Sequence, residues 1–135
     1  MRNITIQADL FGPAMNRDYS QKALLFLLEA LVNINREFLR RNVSAPSLYQ
    51  SGVKYMREGQ SENWQATPVL LKSRFGDCED LACWRVAEIR NQGGKARPFI
   101  RWRRYGSFYL YHVLVEHDGG RMEDPSKLLG MRGAA

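Results

Sequence analysis

The chain has 135 residues, of which 44% are hydrophobic, 11% aromatic and 25% charged, and its formal net charge is +6. That length makes about one domain, able to bury roughly two-thirds of its unfolded surface without staples. No apolar run approaches the roughly 20 residues of a membrane span, and two cysteines are too few for a disulfide framework.

In chain order, Asn3 to Ala8 alternates weakly and is expected as a short edge strand, which Phe11-Gly12-Pro13 breaks. Met1 to Thr5 carries no long apolar stretch of the secretory kind, so no signal peptide is expected. From Asp18 or Ser20 to Arg41 the spacing predicts a long amphipathic helix. Leu24, Leu27, Leu28, Leu31, Ile34 and Phe38 form its apolar stripe, and Arg36, Arg40 and Arg41 load its C-terminal end. Asn42 to Gly52 reads as an extended surface connection that Tyr49 and Tyr55 anchor, and Glu58 to Glu62 as a polar run. Thr67 at an N-cap, with Pro68 behind it, predicts a short helix through Leu71.

The most informative stretch is Arg74-Phe75-Gly76-Asp77-Cys78-Glu79-Asp80-Leu81-Ala82-Cys83-Trp84-Arg85. A glycine turn leads into Asp77 as N-cap, and Asp80 is spaced to reach back in a capping box. Cys78 then lies in the first helical turn, where unpaired N–H groups and the helix dipole favour a thiolate. A cysteine within a helix is more often a small core residue, so the case for Cys78 rests on a histidine and an aspartate further along the chain. Gly93-Gly94 ends the helix. Cys83 is about 140° around the same helix from Cys78, out of bridging reach, which suggests a reducing, intracellular setting.

Three alternating runs come next: Ala96 to Trp102, Phe108 to His117 and Arg121 to Glu123, separated by Tyr105-Gly106-Ser107 and Asp118-Gly119-Gly120. They predict an antiparallel meander after the helices, an α+β class. A short element is expected over Lys127 to Met131, and Gly133-Ala134-Ala135 should fray.

A three-residue loop at Asp118-Gly119-Gly120, with Gly120 left-handed, would pair His117 with Arg121 and set Leu114 opposite Asp124. His112 then lies diagonally beside Asp124 on one face, whereas a two-residue loop would turn Asp124 away. A thiol at a helix start needs an imidazole to take and return its proton, and the imidazole needs a carboxylate to fix its tautomer. Cys78, His112 and Asp124 supply those three types. The Cys78 backbone N–H is a natural oxyanion donor, with Trp64 or Gln65 as candidate second donors. A zinc site from Cys78, Cys83, His112 and His117 lacks the usual ligand spacing, so no metal or cofactor is expected. Much of the positive charge lies on Arg97, Arg101, Arg103 and Arg104, around Trp102 and Tyr105. A solvated strand face is the favoured reading of that cluster, and contact with an acidic partner or nucleic acid the alternative.

Gly76-Asp77-Cys78-Glu79-Asp80-Leu81-Ala82, Gly93-Gly94-Lys95-Ala96-Arg97, Tyr111-His112-Val113-Leu114-Val115 and Asp124-Pro125-Ser126, in that order, resemble the transglutaminase-like core, a papain-like fold. The resemblance spans residues 64–131 of a single domain, with 1–63 as an N-terminal strand and helix extension. It implies a catalytic-type helix packed on a small antiparallel sheet, with Cys78 as nucleophile, His112 as base and Asp124 as orienting acid. With Trp64 upstream and Lys127-Leu128-Leu129-Gly130-Met131 downstream, the compact form further resembles small transglutaminase-like proteins of tailed bacteriophages and prophages. That implies a protein or peptide substrate, phage structural proteins as partners, no membrane, and a location in the host cytoplasm or the phage particle. The chain has no run of calcium-type oxygen ligands, unlike the longer crosslinking enzymes. The superfamily includes transferases, hydrolases and inactive members, so the implied function is acyl transfer or hydrolysis, with a non-catalytic phage assembly module as the alternative.

Overall fold

The computed structural model describes residues 16–57 and 63–132. The expected edge strand at Asn3 to Ala8, the break at Phe11 to Pro13, the polar run Glu58 to Glu62, and the tail from Gly133 lie outside them. The fold mixes helix and strand, with a long N-terminal helix and a small antiparallel sheet. In order come α1 (Arg17–Arg41), a 3-10 turn (Leu48–Gln50), β1 (Lys54–Tyr55), α2 (Thr67–Ser73), β2 (Phe75–Gly76), α3 (Cys78–Asn91), β3 (Ala96–Tyr105), β4 (Phe108–His117), β5 (Met122–Glu123) and α4 (Pro125–Leu128).

Helix α3 is the centre. Its start is a full capping box, in which the Asp77 and Asp80 side chains each accept from the other's backbone N–H. Such a cap contributes about 1 kcal/mol. At its other end Gly93 adopts φ +87°, and the Gly94 N–H returns to the Ile89 carbonyl at 2.9 Å. One flank of α3 (Ala82, Cys83, Val86) packs with Leu24, Leu28 and Val32 of α1 and with Ile100, Val113 and Val115 of the sheet. Its other flank (Leu81, Trp84) packs with Leu48, Val53, Leu70 and Leu129. A helix enclosed in this way needs apolar residues on more than one stripe, and α3 has them.

Helix α1 is therefore part of the same core as α3 and the sheet. Its N-cap is Asn16, whose side chain accepts from the Tyr19 N–H, two residues or more before the expected start. Ile34, expected in the buried stripe, is 55% exposed, and Val32 and Asn35 are buried in its neighbourhood instead. The Asn35 side chain accepts the Thr67 N–H at 2.8 Å, and the N-cap of α2 is Ala66, so α1 supplies the capping acceptor expected from Thr67.

Strands β3, β4 and β5 form the antiparallel meander in that order, while β1 and β2 pair in parallel as a separate two-stranded sheet. β3 runs on past Trp102 because Arg103, Arg104 and Tyr105 pair with Leu110, Tyr109 and Phe108 across the turn at Gly106, which has φ +58°. The connection from Asn42 is also more structured than expected. Its 3-10 turn buries Leu48 completely, and the Leu48 N–H donates to the buried Glu88 carboxylate at 2.8 Å.

Candidate active site

The loop after β4 decides the register of the site. The His117 N–H reaches the Arg121 carbonyl at 2.8 Å, Glu116 pairs with Met122, and Val115 with Glu123. Gly119 and Gly120 both have positive φ, the conformation that the three-residue connection needs. Asp124 then lies diagonally from His112, whose Nε2 is 3.0 and 3.1 Å from the two Asp124 oxygens. Asp124 also caps α4, accepting the Lys127 N–H at 3.3 Å. Burial would raise its carboxyl, but the His112 hydrogen bond and charge, with help from Lys127, hold it below the usual aspartate range. An ionised carboxylate only accepts, so Nε2 carries a proton, and in the neutral tautomer that this selects, the lone pair lies on Nδ1.

A network one residue upstream holds this strand end in place. Glu123 accepts from Arg85 Nε at 2.7 Å, from the Tyr49 hydroxyl and from His117 Nε2 at 2.7 Å. Burial would raise Glu123, but hydrogen bonds from Tyr49, Arg85 and His117 hold it low. Arg85 also lies over the Tyr49 ring, 5.5 Å from its centroid. β5, α3 and the 3-10 turn are thus tied together beside Asp124. Residue types alone do not reveal this arrangement, because its members are far apart in the chain.

Cys78 and His112 line one cleft of about 680 Å³, with Asp77 and Glu79 at the α3 end and Arg101 and Arg103 on the sheet side. The thiol departs from the activated state expected at a helix start. Cys78 is 6% exposed, and among the described residues its Sγ–H donates to Glu79 Oε2 at 3.2 Å, not to His112. Burial pushes the thiol well up, and the Glu79 and Asp77 carboxylates push it further, opposed by the Val113 backbone N–H. Desolvation and two acidic neighbours therefore outweigh the helix terminus. The Cys78 N–H is likewise taken, donating to Asp77 Oδ1 at 2.7 Å, so it does not point an unused proton at the cleft.

The remaining sequence candidates separate. Gln65 does not line the cleft: its N–H donates to Asp80 Oδ1 at 2.6 Å, and its side chain bonds Phe75 and Ser73. Trp64 packs against the core formed with α1 and the sheet. Arg97 pairs with Glu116 on the sheet surface. Arg104 lies on the opposite face of β3 from Arg101 and Arg103, and its Nε donates to the Gly106 carbonyl at 3.0 Å. Tyr55, expected only as an anchor, lines the cleft, with its hydroxyl pushed up to about 12 by burial and by Asp77 and Cys78.

Among the described residues, Asp77, Cys78 and Glu79 are the one group placed closely enough to suggest a metal. Asp77 spends its carboxylate on the Cys78 N–H and on the cap, so the helix start by itself accounts for where this carboxylate sits. Cys83 is fully buried with its Sγ–H toward the Leu28 carbonyl, and His117 is engaged by Glu123, so neither joins Cys78 and His112. Comparisons of the chain with family models, with curated proteins and with solved structures find no match.

Proposed function

We propose that the protein is a transglutaminase-like, papain-like cysteine enzyme of phage type that carries out acyl transfer or hydrolysis through Cys78, His112 and Asp124. The observation that carries this reading is the Asp124 carboxylate at 3.0 Å from His112 Nε2, with His112 and Cys78 on one cleft. No helix among the described residues is long and apolar enough to cross a membrane, and an enzyme of this type acts in the host cytoplasm or the phage particle.

Because the resting thiol is neutral, its proton leaves as the substrate carbonyl is attacked. Sγ bonds to the carbonyl carbon while His112 Nδ1 takes the thiol proton, and Asp124 stabilises the imidazolium. The imidazolium then protonates the leaving amine as the C–N bond breaks, leaving a thioester on Cys78. Water or a second amine attacks the thioester, His112 accepts its proton, and that proton returns to the departing sulfur. With the Cys78 N–H held by Asp77, the Tyr55 hydroxyl is the cleft donor assigned to the oxyanion.

The test is acyl-enzyme formation with p-nitrophenyl acetate, followed by mass spectrometry. The expected result is one acetyl group on Cys78, absent in Cys78→Ala and slowed about 100-fold or more in His112→Ala. Equal acetylation of the His112→Ala protein, with its fold intact by circular dichroism, overturns the reading. A second reading is a non-catalytic phage assembly module on the same scaffold. The buried, neutral thiol bonded to Glu79 favours it, and a Cys78 that no acyl donor reaches would establish it.

A further inference from the structure

The cleft beside Cys78 is strongly asymmetric in charge. Arg101 stands directly opposite His112 in the β3–β4 register, and Arg103 opposite Leu110 on the same face. Arg57 and Arg132 line the same cleft from the two other segments that border it. The carboxylates of the cleft, Asp77 and Glu79, are engaged at the helix start, Asp77 in the cap and Glu79 with the thiol. Among the described residues Arg101 makes no ion pair, and its Nε is buried without a hydrogen-bond partner. A guanidinium N–H removed from water and left unmatched costs free energy, which a ligand oxygen would recover. Arginine matches a carboxylate with two parallel hydrogen bonds.

Resting on the acyl-transfer reading, we infer that Arg101 is the specificity determinant of the cleft and selects an acidic peptide, holding a substrate carboxylate next to the carbonyl presented to Cys78. The volume of about 680 Å³ suits a short peptide segment. A nucleic-acid strand fits the same surface less well. Its phosphates need a continuous basic track, whereas here Arg97 is paired with Glu116 and Arg104 faces the other side of β3. The carboxylate can belong to an acidic side chain or to a peptide C-terminus, and the chemistry at Arg101 is the same for both.

The test uses the full chain carrying Cys78→Ala, so that binding is read without turnover. Fluorescence anisotropy follows a short labelled Glu-rich peptide, its Gln-for-Glu counterpart, each as free acid and C-terminal amide, and a short oligothymidylate. The expected result is binding of the acidic peptide about tenfold or more tighter than its Gln counterpart. Arg101→Gln should abolish that preference, Arg101→Lys should keep only part of it, and Arg104→Gln, an equal charge change on the other face, should leave it intact. A preference that follows the Glu side chains assigns the carboxylate to a side chain, and one that follows the free acid assigns it to the C-terminus; both support the inference. Equal binding of all four peptides, acidic and Gln, free acid and amide, overturns it, as does a preference that survives Arg101→Gln with the fold verified by circular dichroism. Oligothymidylate that binds more tightly than every peptide and depends equally on Arg101 and Arg104 also overturns it, in favour of a nucleic-acid surface. Failure of Cys78 acetylation in the wild-type protein would leave this binding result standing, so the two readings fail separately.

Discussion

Glu79→Gln is the substitution that most directly probes why the thiol of a helix-start cysteine rests protonated. Glu79 is 1% exposed and its Oε2 accepts from Cys78 Sγ at 3.2 Å, so its charge faces any thiolate that forms. At that separation and an effective dielectric near 20, a full charge is worth about 5 kcal/mol. If relaxation removes two-thirds of that, about 1.7 kcal/mol remains, which is roughly one pH unit. The amide also offers an N–H to the sulfur where the carboxylate offers none. The thiol should therefore stay above the ordinary range, because burial is the larger cause, but its midpoint should fall by about one unit. The alkylation rate near neutrality should rise only about threefold, because a less basic thiolate is also a weaker nucleophile, with a Brønsted slope of about 0.4–0.5. The assay is the pH dependence of iodoacetamide addition, with fragmentation spectra separating Cys78 from Cys83. A midpoint that does not move, or rises, in a folded Glu79→Gln protein would refute the argument that Glu79 holds the proton on the sulfur.

Two further outcomes concern the elements that carry Asp124. Glu123→Ala removes the acceptor shared by Arg85, His117 and Tyr49 and leaves the Arg85 charge with Glu88 at 3.4 Å; the loss should be about 3 kcal/mol. Thermal denaturation should show a drop of roughly 10 °C, and a change under about 3 °C would mean the network is not cooperative. The acid limb of stability tests Asp124 itself. Its carboxyl binds a proton less readily in the fold than in the unfolded chain, so its contribution is present above about pH 4 and is lost as the pH falls through the lowered value. Asp124→Asn should flatten that limb in melts taken between about pH 6 and pH 3, and an unchanged limb would contradict the ion pair.

Much of the site geometry is legible in the sequence because it depends on local chemistry. The Asp77–Asp80 box needs only three-residue spacing, and the β4–β5 register needs only Asp118-Gly119-Gly120 between two runs, with glycines where positive φ is required. The thiol's state is not legible, because it depends on how deeply α3 is enclosed and on which way Glu79 turns, both set by packing across the whole chain. The same limit explains Ile34. Its spacing fits the apolar stripe, yet α1 presents Leu28, Leu31, Val32 and Asn35 to its neighbours and leaves Ile34 outside. Arginine composition is likewise uninformative until strand pairing separates Arg101 and Arg103 from Arg104 and gives Glu116 to Arg97.

The enclosure of α3 by two apolar clusters also bears on how the site forms and fails. An element buried on both flanks opens to exchange with solvent only when most of the fold opens with it, so the α3 amides should be among the slowest-exchanging in the protein. Cys78 begins that helix, His112 lies on a strand packed against it, and Asp124 follows a two-residue strand at the edge of the sheet. The carboxylate thus lies at the sheet edge, in a short segment anchored by the Glu123 bonds and by Leu129, and the sulfur in the most protected element. Gentle destabilisation should detach Asp124 from His112 while Cys78 remains enclosed, so that the charge pairing at the imidazole disappears before the global unfolding transition begins.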